Sequence, residues 1–117
     1  MSNPSYAVAD HFVAKDPDLR KLYDRLLATL RRFGPIKEEA KKTSIHLVNA
    51  TALAGVEVRK NYLLLNIKSD HKIESPRVEK TEQISARRFH HKVKLSTLTD
   101  VDKELQGWLK EAYDLSG

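Results

Sequence analysis

Arg88-Phe89-His90-His91-Lys92-Val93-Lys94-Leu95 is the stretch on which the reading of this chain turns. Phe89, His91, Val93 and Leu95 alternate with Arg88, His90, Lys92 and Lys94. Successive side chains of an extended segment point to opposite faces, so this period of two predicts a strand with one apolar and one cationic side. Each two-residue step covers about 6.7 Å, which spreads the four cationic positions over about 20 Å. Such a row can neutralise successive phosphates of a nucleic-acid strand. It equally suits a solvated face, or an edge strand whose lysines block edge-to-edge pairing.

Further strands lie upstream. Ile45 and Leu47 alternate with Ser44, His46 and Val48. Leu53 to Arg59 sets Ala54, Val56 and Val58 on one face. Tyr62 to Lys68 sets Leu63, Leu65 and Ile67 on one face, with Tyr62, Leu64 and Asn66 on the other. Lys60-Asn61 between these last two runs reads as the tight turn of an antiparallel hairpin. Residues 36–42 are polar and read as a connector or one helical turn. Residues 69–86 read as a long surface loop or as a loop plus an edge strand, with Pro76 arguing against a central strand.

Two amphipathic helices bracket these strands. The first is expected from Asp16 to Phe33, with Asp16 as cap and Pro17 at the first helical position. Leu19, Leu22, Tyr23, Leu26, Leu27, Leu30 and Phe33 form its stripe. Gly34 supplies a left-handed stop and Pro35 prevents continuation. The second is expected from Asp100 to Tyr113, capped by Thr99 or Asp100. Its stripe is Val101, Leu105, Trp108, Leu109 and Ala112, and Gly107 reads as a tolerated surface glycine inside it. Both stripes need a partner. The expected fold is therefore α+β: a two-layer sandwich with an antiparallel sheet of about four strands and both helices on one face. Residues 1–14 read as a tail or short helix and 15–117 as a single domain.

Composition sets the outer limits. The chain has 117 residues, 40% of them hydrophobic and 32% charged, which suits a single globular core of ordinary size. The longest apolar runs are three residues, Leu63-Leu64-Leu65 among them, so no membrane partner is expected. Cysteine is absent, which excludes disulfides, thiolate metal sites and a cysteine nucleophile. Met1 to Ser5 lack the features of a secretory signal, and a cytoplasmic location is expected. The net charge of +5 is uneven: residues 59–94 hold ten Lys/Arg and four Asp/Glu, and residues 95–117 hold two and five. A basic middle next to an acidic end suits an anionic partner.

No catalytic constellation stands out. The four glycines do not cluster and no nucleophile motif is present. His90 and His91 point to opposite faces and cannot easily share an ion, so no metal or cofactor is expected. Asp70-His71-Lys72 faintly resembles the end of a metal-dependent nuclease site, but residues 43–56 hold no Asp or Glu to complete it. The expected function is thus a non-catalytic binding domain with an anionic partner, such as nucleic acid. Its contact residues would be Arg88, His90, Lys92 and Lys94, extended by Arg87 and Arg77. The alternatives are a homodimeric interaction module using Tyr62 and Leu64, and a small hydrolase or nuclease around Asp70 and Lys72.

Several short motifs resemble an uncharacterised bacterial family, the domain of unknown function numbered 5655. They are His11-Phe12, Leu22-Tyr23 with Leu26, Phe33-Gly34-Pro35, Lys42-Thr43-Ser44-Ile45 and His91-Lys92-Val93-Lys94-Leu95. Asp102-Lys103-Glu104-Leu105 and Trp108-Leu109-Lys110-Glu111-Ala112-Tyr113 complete the set, so the resemblance covers about residues 10–115. It implies an accessory or binding module and brings no activity with it. Lys42 and Thr43, polar positions of the resemblance at the sheet entrance, are second-tier site candidates beside Tyr62. A simple loop anchor would explain them equally well.

Overall fold

The computed structural model describes residues 6–117. It holds strands β1 (Lys37–Ala40), β2 (Ile45–Val48), β3 (Ala52–Val58), β4 (Leu63–Ser69), β5 (Val78–Ser85) and β6 (Arg88–Leu95). Helices α1 (Asp18–Arg31) and α2 (Lys103–Leu115) flank them, with short 3-10 turns at Val8–Phe12 and Leu98–Asp100. The strands form one antiparallel sheet in the order β1-β2-β3-β4-β6-β5. The class is α+β as expected, but the sheet has six strands rather than about four.

Both additional strands are edge strands. In β1 the charged run Lys37-Glu38-Glu39-Ala40 hid the period of two. Glu38 turns to the helix side, where its carboxylate accepts a hydrogen bond from the buried Tyr23 hydroxyl at 2.5 Å. Burial, followed by this bond, pushes the Tyr23 hydroxyl well above the ordinary tyrosine range. β5 is the edge strand that residues 69–86 left open. Pro76 lies in the loop before it, where its missing donor costs no ladder bond. The expected tight turn at Lys60-Asn61 is present, closed by a bond from Arg59 N–H to the Tyr62 carbonyl at 2.9 Å.

One buried cluster joins the α1 stripe, the α2 stripe and the inward residues of β2, β3, β4 and β6. Both helices therefore cover the same face of the sheet. Ala52 pairs with Val48 while Ala54 pairs with Leu47, so one residue of β3 is unmatched and Leu53 also turns inward, fully buried. His91 is fully buried and its Nε2 accepts from Ile73 N–H at 3.0 Å, the hydrogen-bonded core histidine that its place in the alternation predicts. Among the described residues, no helix covers the other sheet face. The expected N-terminal tail lies partly outside the described residues.

Candidate anion-binding face

The open face is built from cross-strand rows. His46, Gly55, Asn66, Lys92 and Lys80 are successive partners across β2, β3, β4, β6 and β5. One pleat away, Lys68, His90 and Glu82 form a shorter row. In the opposite direction Glu57, Leu64 and Lys94 form a third. Neighbouring strands sit about 4.8 Å apart, so these rows put the cations of three strands on one surface.

The expected row is present. Arg88, His90, Lys92 and Lys94 share the face opposite buried His91, Val93 and Leu95. Arg87 adjoins it at the Ala86-Arg87 turn between β5 and β6. The structure adds Lys68 and Lys80, which the sequence reading did not single out. Among the described residues, Lys68, Lys80, Arg87, Arg88, Lys92 and Lys94 form no ion pair. Lys80 and Lys92 stand directly opposite each other, an arrangement that costs stability unless an anion intervenes. Partial burial and then the nearby Arg88 charge hold the Lys68 ammonium below the ordinary lysine range. Burial, then Lys68, lowers His90 below the histidine range, against the opposing pull of Glu82.

Arg77 is not an extension of the row. Its guanidinium bonds Asp102 at 2.8 Å, Glu104 at 3.2 Å and the Asp100 carbonyl at 2.6 Å, over the Trp108 ring. The acidic N-terminal turn of α2 is thus its partner. Lys42 and Thr43 are also apart from the row: they tip the β1–β2 hairpin, closed by Lys41 N–H to the Ser44 carbonyl at 2.8 Å. Tyr62 does reach the face, where Lys94 Nζ lies 4.6 Å from its ring centre. Leu64 is half-buried between Glu57 and Lys94.

Two depressions border the cations. One, of about 150 Å³, lies at the end of the sheet between Lys68, Arg87 and Arg88 and the last turn of α2. The other lies on the open face over Gly55, flanked by His46, Asn66, Lys68 and His90. Elsewhere, Asp70 and Lys72 are exposed. Asp70 pairs with His71 at 2.8 Å, and Glu111 and Asp114 share a shallow depression with Asp70. Among the described residues no three His, Asp or Glu side chains are placed to hold a metal ion. Nor is any helix among them long and apolar enough to cross a membrane.

The residues that carried the resemblance are mostly structural. Phe12 meets Tyr23 edge to face at 5.4 Å, and Tyr113 meets Phe33 at 6.1 Å while its hydroxyl donates to the Pro35 carbonyl at 3.3 Å. A family model described as a domain of unknown function (DUF5655) matches residues 8–116. No curated protein and no solved structure matches the chain.

Proposed function

The chain belongs to this family of domains of unknown function, and because membership assigns no chemistry, we propose from the surface itself that the domain binds a polyanion, a nucleic-acid strand, without catalysing a reaction. The observation that carries this reading is the set of cations on the uncovered sheet face. Lys68, Lys80, Arg88, Lys92 and Lys94 sit on three adjacent strands without an acidic partner among the described residues. Several cations elsewhere find acids, Arg20 with Asp24, Arg77 with Asp102 and Glu104, and Lys110 with Asp114. Others, such as Arg25, Arg32 and Lys72, are also unpaired among the described residues. What marks the open face is that its unpaired cations are clustered on adjacent strands. Unpaired charges on one face sum to a field that attracts a polyanion and releases its counterions on contact.

Anisotropy with labelled single- and double-stranded oligonucleotides tests the reading. Three to five phosphate contacts on a single strand should weaken binding by roughly 20- to 100-fold between 50 and 200 mM salt. Lys92→Ala and Lys94→Ala should each weaken binding across all sequences and lower the salt slope by about one. Arg77→Ala should leave binding unchanged, because its charge is already taken. No binding at micromolar protein at either salt concentration would sink the proposal.

A further inference from the structure

Gly55 stands inside β3, where a glycine weakens a strand and often marks a close approach by something else. The fold does not require it. Its φ is not positive, and a Cβ there would meet only His46 Cδ2, at an ordinary 3.8 Å. The missing side chain instead opens the floor of a pit of about 220 Å³ on the uncovered face. His46 and Asn66 are the two cross-strand partners of Gly55, so an imidazole and a carboxamide wall the pit on opposite sides. Lys68 and His90 close one end of it.

Among the described residues three buried side-chain polar atoms lack a hydrogen-bond partner; His91 Nδ1 is in the core, and the other two, Asn66 Oδ1 and His90 Nε2, belong to this wall. Buried polar atoms are paired in the large majority of cases, so two orphans beside one pit are a signal. The terminal torsions of Asn and His are broad and two-fold, so turning these atoms toward an occupant takes a side-chain rotation and no backbone movement.

We propose that the pit takes one heterocyclic base whose phosphate lies on the neighbouring cations. This rests on the polyanion reading and narrows it to unpaired nucleotides. The size fits: about 220 Å³ is below the roughly 300–1,000 Å³ of drug-sized sites and suits a single base. The chemistry fits as well. A carboxamide oxygen accepts from an exocyclic amine, and an imidazole offers a stacking surface beside a base. The charge is in place, since Lys92 follows Asn66 in the same row and Lys68 lines the pit. Bases inside a duplex are stacked and paired and cannot enter, so an unpaired strand is the expected polymer.

The test compares a base-bearing single strand with the same strand made abasic throughout, on the wild-type protein, Gly55→Val and Asn66→Ala. Valine suits a strand and fills the pit, while Asn66→Ala keeps the floor open and removes the carboxamide. On the wild type, the base-bearing strand should bind at least tenfold tighter than the abasic one. Both variants should erase most of that difference and leave abasic binding unchanged. Should Gly55→Val fail to fold, Asn66→Ala decides alone. Competition by a nucleoside monophosphate at matching concentrations identifies a free nucleotide as the source of the base, and its failure to compete identifies a strand. Equal affinity of the wild type for the two strands overturns the pit and leaves the polyanion surface standing. Absence of binding by every probe overturns both.

Discussion

Gly34 and Tyr113 show how much one position depends on a distant one. The expected role of Gly34 was a left-handed helix stop, but its φ of 157° lies far from that region. Two things favour glycine there: this φ, which side-chain-bearing residues rarely adopt, and the Tyr113 hydroxyl, which occupies the place a Cβ would take and reaches on to the Pro35 carbonyl. Gly34→Ala is therefore expected to destabilise by about 1–3 kcal/mol through overpacking at an unfavourable φ. Removing the hydroxyl with Tyr113→Phe in the same chain should recover part of that loss in denaturant unfolding. Full additivity of the two changes would show that they do not share a contact. Arg77 teaches the same lesson for charge: a guanidinium near a basic row in sequence is consumed by the acidic start of α2 in space.

Among the elements, α2 begins later than its sequence suggests. Asp102 caps it, its carboxylate accepting from Leu105 N–H at 3.0 Å. Asp100 instead serves the preceding 3-10 turn, accepting from Ser96 and Thr97 N–H at 2.7 and 3.0 Å. Two capping aspartates separated by one residue were indistinguishable without the backbone path. Gly107 has no heavy atom within 4 Å of a would-be Cβ, so it serves no close approach. Gly107→Ala should raise stability by up to about 1 kcal/mol, read as a higher thermal midpoint, and a lowered midpoint would reveal an unseen constraint. Strand β5 illustrates edge protection. Glu79, Lys80 and Glu82 charge it and irregularities interrupt its register at both ends, which discourages pairing with a second sheet. The protective role considered for the lysines of β6 thus belongs to its neighbour, since β6 lies inside the sheet.

At the scale of the whole molecule, the basic middle of the sequence supplies the open face through β4, β5 and β6. The covered face combines the acidic α2 with α1, whose Arg20, Lys21, Arg25 and Arg31 outnumber Asp18 and Asp24, so the charge contrast lies along the chain rather than between the two layers. The same architecture sets a pH dependence. His91 is lowered below the ordinary histidine range chiefly by burial, and His90 by burial and Lys68. The unfolded chain therefore takes up protons before the folded one does. The stability linked to these groups is whole above the unfolded value of about 6.5 and is lost as pH falls from there through the lower folded values. The thermal midpoint should fall between pH 7 and pH 5. His91→Gln, which cannot titrate, should fall less; an equal fall would remove His91 from the account. The lowered Asp70 and Asp102 carboxyls act only at more acidic pH.

Local pattern carried the two helices, β2, β3, β4 and β6, because apolar periods of 3.6 and 2 are written in adjacent residues and burial enforces them. It also carried the cationic row of β6, whose four members need only an extended backbone to align. Edge strand β1 was illegible and β5 legible only as one of two alternatives, because neither face of a charged edge strand is wholly buried and no apolar alternation marks it. The pit over Gly55 was beyond reach for a different reason. His46, Gly55, Asn66 and His90 come from four strands, and only the pairing register, a property of the assembled sheet, places them side by side.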